Sequence, residues 1–67
     1  MNRLKDLRIQ QSETLNEVSK FLGVTKTALN RYEKGVREPK LRTWGKLANY
    51  FDVDPEYLVG WSDVKKR

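Results

Sequence analysis

The side chains best suited to chemistry lie between Lys26 and Lys34. On a helix turning about 100° per residue, Lys26, Thr27, Asn30, Arg31 and Lys34 share one face about 140° wide, while Ala28, Leu29 and Tyr32 fall opposite. One side can pack, and the other is wholly hydrogen-bonding. Cations near the start and middle, an amide and a small hydroxyl are what reading base edges in a major groove requires. Arg31 can fork onto guanine O6 and N7, Lys26 can reach the same acceptors, Asn30 suits adenine, and Thr27 can meet a thymine methyl. Each good bidentate pair discriminates by about 1–3 kcal/mol. A merely solvated basic face has the same composition, so the function depends on an element that presents it.

Composition excludes most other chemistries. The chain has no cysteine and no histidine, which removes disulfides, thiolate metal sites, cysteine nucleophiles and the commonest general base. Asp, Glu, Lys and Ser occur without a cluster whose spacing suggests a site. The expectation is therefore a protein that is not an enzyme and has no cofactor, metal or small-molecule ligand. With 67 residues, 37% of them apolar, there is material for one small core.

The net charge is +5, which suits a polyanionic partner. Residues 26–46 hold seven basic and two acidic side chains, residues 47–64 hold four acidic and no basic ones, and Lys65, Lys66 and Arg67 end the chain. The positive charge is therefore concentrated mid-chain. No apolar run approaches the roughly 18 residues of a membrane span, and no segment resembles a signal peptide. A cytoplasmic protein without a membrane partner is expected.

Gly23, Gly35, Pro39, Pro55 and Gly60 divide the chain into short pieces, each with apolar residues at helical spacing. This predicts an all-α domain over residues 1–60, with 61–67 as a tail or the start of a linker. The first helix is expected over about residues 2–10, capped by Asn2, with Leu4, Leu7 and Gln11 inward and Ile9 outward. Thr14 and Glu17 have capping-box spacing, and Leu15, Val18, Phe21 and Leu22 then form an inward arc ended by Gly23. Thr25 can cap a third helix that stops at Gly35. The fourth, about 41–51, turns Leu41, Trp44, Leu47, Ala48 and Phe51 inward from a poor cap at Lys40. The fifth has Asp54 as cap, Pro55 at its first position and Val53 spaced to staple against Leu58.

Helical spacing assigns Trp44, Phe51, Phe21 and Tyr32 to the core rather than to base stacking. Arg8 and Glu33 each lie at the edge of an apolar stripe, where a partly buried charge needs a partner. Only Gly23, Val24 and Thr25 separate the second and third helices. A corner that tight holds the two roughly perpendicular, so that the start of the third projects while its apolar side stays buried.

The stretch TLNEVSKFLGVTKTALNRYEKG, from Thr14 to Gly35, resembles the central motif of the lambda-repressor and Cro-like helix-turn-helix regulators, the xenobiotic-response-element family. REPKLRTWGKLANYFDVDPEYLVG resembles its two C-terminal helices, and the likeness covers residues 2 to about 62. It rests on Gly23 in the turn, small Ser19 at the crossing, apolar Val18, Leu22, Val24, Leu29 and Tyr32, and the RYEKG run.

The resemblance implies a compact five-helix fold with the third helix in the major groove. It places base reading on Lys26, Thr27 and Arg31, with Asn30 contributing, and phosphate binding on Asn16, Lys34, Arg37, Lys40 and Arg42. It makes Arg8 and Glu33 an internal salt bridge and directs dimerisation to the C-terminal region, where Tyr57, Val59 and Trp61 are candidate contacts. GWSD, from Gly60, resembles the subset of repressors in which a linker follows. Three positions depart from the pattern: Leu15 replaces a glutamine that often touches DNA, Glu13 stands where an apolar residue is common, and Lys40 replaces a serine-like cap.

Together these features lead us to expect a sequence-specific double-stranded DNA-binding regulator, a repressor of prophage type that binds a palindromic operator as a homodimer, at least on DNA. The alternative is a helical interaction module of antitoxin or adaptor type, which would be indifferent to DNA.

Overall fold

Five helices follow one another: α1 (Leu4–Gln10), α2 (Leu15–Leu22), α3 (Lys26–Lys34), α4 (Leu41–Phe51) and α5 (Pro55–Val59). No strand occurs among the described residues. The computed structural model describes residues 2–66; Met1 and Arg67, the outer ends of the expected domain and tail, lie outside them. The molecule measures 30 × 23 × 18 Å. No helix is long and apolar enough to cross a membrane.

The helix ends follow local chemistry. At α2, the Thr14 hydroxyl accepts the Glu17 N–H at 3.1 Å and the Glu17 carboxylate accepts the Thr14 N–H at 3.0 Å, which is the expected capping box. The Thr14 N–H, more than its hydroxyl, holds the Glu17 carboxyl below the usual carboxylate range. Gly23 ends α2 at φ +74°, with its N–H on the Ser19 and Lys20 carbonyls. A side chain would be strained in that left-handed conformation.

Two starts differ from expectation. α1 begins at Leu4 rather than near residue 2, with Arg3 in the cap position. Asn2 still contributes from one residue back, its Oδ1 accepting the Leu4 N–H at 3.0 Å. At α5, Asp54 holds the cap position, but its side chain makes no cap hydrogen bond. Pro55 at the first position and the Asp54 carbonyl, which accepts the Tyr57 and Leu58 N–H groups, begin the helix instead.

Leu4, Leu7, Val18, Leu29, Leu47 and Leu58 are fully buried, and Trp44, Ala48, Phe51 and Val53 complete the core. Three residues expected inside lie outside. Leu41, 86% exposed, is the first residue of α4, and no later turn covers it. Phe21, 49% exposed, rests on Tyr50 with ring centroids 4.4 Å apart, while Tyr50 stands edge-on to buried Phe51. Phe21 is thus the outermost of three rings in contact. Gln11 is exposed, with its amide reaching the Phe51 carbonyl at 3.4 Å.

The two ends of the chain meet at Arg3. Its N–H donates to the Leu58 carbonyl at 2.9 Å. Its guanidinium lies 4.1 Å over the Tyr57 ring, donates to the Tyr57 carbonyl, and donates to the Ser62 carbonyl and the Asp63 carboxylate at 2.8 Å each. The Lys65 carbonyl accepts the Asp54 N–H at 2.9 Å, and Lys66 pairs with Asp52 at 2.5 Å. Residues 61–66 form no helix and lie back against the start of α1 and the two ends of α5.

Candidate nucleic-acid interface

The interface is built from the α2–α3 corner. After Gly23, the Val24 N–H returns to the Ser19 carbonyl at 3.1 Å, and buried Ser19 lets the two helices approach. The Thr25 hydroxyl then accepts the Ala28 N–H at 3.0 Å and starts α3. Leu29 is fully buried, and Ala28 and Tyr32 are half-buried, which fixes the rotation of α3 about its axis. Lys26, Thr27, Arg31 and Lys34 are consequently exposed, and Asn30 is half-buried at the edge of the same face.

Two ties hold the far end of α3 to α1. Arg8 Nε donates to Glu33 Oε2 at 2.7 Å and Nη2 to Oε1 at 3.2 Å, while Nη1 donates to the Glu13 carbonyl at 3.0 Å. Only 13% of the Arg8 side chain and 4% of the Glu33 side chain remain exposed. The expected internal salt bridge is therefore present. A buried pair of this kind depends on such geometry, since removing one partner strands a desolvated charge. The second tie runs from Asn2 Nδ2 to the Tyr32 carbonyl at 2.8 Å.

The remaining candidates continue outward from α3. Asn16 is exposed in the first turn of α2, and Lys34, Arg37, Lys40 and Arg42 are exposed along the loop and into the start of α4. Lys40 makes no side-chain cap bond, which leaves its ammonium outside α4. Among the described residues, no salt bridge engages Lys26, Arg31, Lys34, Arg37, Lys40 or Arg42. Leu15 is half-buried against the core, so the position often given to glutamine offers no polar reach.

Glu13 has a partner the sequence did not reveal: its carboxylate accepts the Tyr50 hydroxyl. That bond, with burial and the Glu13 charge, pushes the Tyr50 phenol up to about 12. Of the C-terminal candidates, Tyr57 lies beneath Arg3 and is half-buried. Val59 is half-buried and Trp61 is 82% exposed. These two line adjoining hollows of about 160 and 320 Å3, both also bordered by Glu38, Pro39 and Trp44. Exposed Leu41 borders the larger and Asn2 the smaller. Sequence spacing alone could not join residues 38–44 to residues 59–61 across α4 and α5.

Known proteins resemble this chain in sequence. The chain is 37% identical over 63 residues to the cryptic phage CTXphi transcriptional repressor RstR of Vibrio cholerae, covering 94% of this chain and 57% of that protein. It is 34% identical over 65 residues to the HTH-type transcriptional regulator ImmR of Bacillus subtilis, covering 97% and 51%. The regulator AnsR of the same organism is 33% identical over 66 residues, covering 98% and 57%. The chain thus spans between half and three-fifths of these relatives. A helix-turn-helix family model matches residues 4–58. With that match laid over a Gly23 corner, a buried Leu29 and an outward Lys26–Arg31 face, the chain belongs to the helix-turn-helix family of lambda-repressor and Cro-like type.

Proposed function

We propose that the chain is the sequence-specific DNA-binding part of a transcriptional regulator, a repressor of prophage type that acts by occupying its operator. One observation carries this reading: α3 stands on fully buried Leu29 with Lys26, Thr27 and Arg31 exposed and neither cation held by a carboxylate. A side chain committed to an internal ion pair would have to give it up before meeting a base.

In this reading α3 enters the major groove. Arg31 and Lys26 address guanine, Asn30 addresses adenine, and Thr27 contacts a thymine methyl. Asn16, Lys34, Arg37, Lys40 and Arg42 hold phosphates on either side, fixing register without reading sequence. Their binding releases condensed counterions and makes affinity salt-dependent. A cytosolic location follows from the same reading.

A single module of this size buries roughly 600–1,000 Å2 on DNA, so tight binding calls for two copies on half-sites about one helical turn apart. The larger hollow beside Val59 and Trp61, which is mainly apolar, supports a second copy as the partner there, with Leu41 adding exposed apolar surface. Tyr57, the third candidate, is engaged by Arg3 and lines neither hollow.

Selection from random duplexes tests the proposal. The expected product is a palindrome whose half-site centres lie about one helical turn apart. Recovery of no preferred sequence would instead favour a protein-interaction module of antitoxin or adaptor type.

A further inference from the structure

Both ends of the Asn2 amide are engaged. Oδ1 accepts the Leu4 N–H at 3.0 Å, and Nδ2 donates to the Tyr32 carbonyl at 2.8 Å. One side chain therefore serves the start of α1 and the last turn of α3. Tyr32 adjoins Glu33, which Arg8 of α1 holds from its own side. The Arg8 tie ends on a side chain, whose torsions can absorb rotation of the helix. The Asn2 tie ends on the backbone, so any rotation of α3 moves its acceptor directly. Consecutive residues of α3 are thus tied to α1 and to the residue before its cap in two different ways, one through a side chain and one through the backbone.

We propose that Asn2 is a positioning residue for DNA recognition: by holding the Tyr32 carbonyl, its amide sets the angle at which α3 presents Lys26, Thr27 and Arg31. The inference rests on the base-reading role proposed for α3. Asn2 grips the end of α3 opposite Lys26 and Thr27, so it acts through the helix rather than on a base. Base-edge hydrogen bonds tolerate displacements of only about 0.5 Å, whereas phosphate contacts by long flexible side chains tolerate more. Loosening α3 should therefore weaken discrimination before it weakens attachment. The side chain also has to be an amide. Serine and aspartate cap a helix start as well as asparagine does, but neither carries an N–H that could reach Tyr32.

The test uses Asn2→Ser and Asn2→Asp, both of which keep an oxygen for the Leu4 N–H. Three quantities are measured: the melting temperature, amide hydrogen exchange along α3, and the ratio of affinities for the selected operator and a random duplex of equal length at one salt concentration. Both variants should stay folded, with amide exchange in α3 faster than in the unaltered chain and exchange in α4 little changed. The affinity ratio should fall about three- to tenfold, the size expected when one net hydrogen bond of alignment is lost. Unchanged exchange in α3 would overturn the inference, as would an unchanged ratio. The control is Arg31→Ala. If it lowers the ratio while the Asn2 variants do not, only the Asn2 assignment fails; if it too leaves the ratio unchanged, the base-reading role has failed beneath it.

Discussion

The Glu33 carboxylate accepts two hydrogen bonds from the Arg8 guanidinium, at 2.7 and 3.2 Å, with almost none of its own side chain left in water. α1 and α3 are therefore joined by a charged pair whose members depend on each other. Glu33→Gln strands Arg8 and should destabilise the fold by about 3–5 kcal/mol. The paired change Arg8→Met with Glu33→Leu should recover most of that. Denaturant unfolding of the two variants decides the point, and equal losses in both would contradict it.

Arg31→Ala removes an exposed side chain that supports nothing in the core. Operator binding should weaken by about 1–3 kcal/mol while the melting temperature stays put. Fluorescence anisotropy with operator and scrambled duplexes measures the binding and a thermal melt the stability, and equal binding before and after the change would remove Arg31 from the interface.

Arg42 lies exposed in the first turn of α4, beyond the reading face. Arg42→Ala should weaken every duplex alike and reduce the slope of log affinity against log salt by about one. A slope equal to that of the unaltered chain would rule out a phosphate contact there.

Trp61 projects beside the hollows bordered by Pro39, Trp44 and Val59. Trp61→Glu should leave affinity for a single half-site intact and abolish cooperative binding to the full palindrome. Retained cooperativity would place the dimer contact on another surface.

Tyr50 makes stability fall at high pH. Its phenol, ordinarily near 10, is pushed up to about 12 by the hydrogen bond to Glu13. Between those values the folded chain keeps a proton that the unfolded chain has lost, so the stabilisation is complete below pH 10 and disappears as pH rises towards 12. Thermal melts from pH 8 to 12 should show a steeper decline for the unaltered chain than for Tyr50→Phe. Parallel declines would show that the Glu13 bond contributes nothing to the pH response.

Much of this architecture could be read in advance because its signals are local. Thr14 with Glu17, Thr25, Gly23 and Gly35 mark helix ends through bonds spanning three to five residues, and the phase of α3 follows from Leu29 and Tyr32. Angular phase, however, carries no information about depth along an axis. Leu41 has a core angle but sits at the end of its helix, and Phe21 has a core angle but lies one ring too far out. Contacts between distant polar groups left no periodic trace. Glu13 and Tyr50 are 37 residues apart, and Asn2 and Tyr32 are 30 apart, each joined only after the helices have packed. The exposed polar face of α3 and the Arg8–Glu33 tie behind it were legible, whereas the Asn2–Tyr32 and Glu13–Tyr50 contacts were not.

The anchors of Arg3 lie at residues 57, 58, 62 and 63, so they emerge after α1, α2, α3 and α4 during synthesis. α2 and α3 can pair on the ribosome, and Asn2 can already reach Tyr32, but Arg3 has nothing to grasp until α5 and the residues after it have left the exit tunnel. Closure around Arg3 is consequently a late step for this domain, and a transcript cut just short of Ser62 would yield a chain whose Arg3 still meets Tyr57 and Leu58 but lacks its clasp on Ser62 and Asp63.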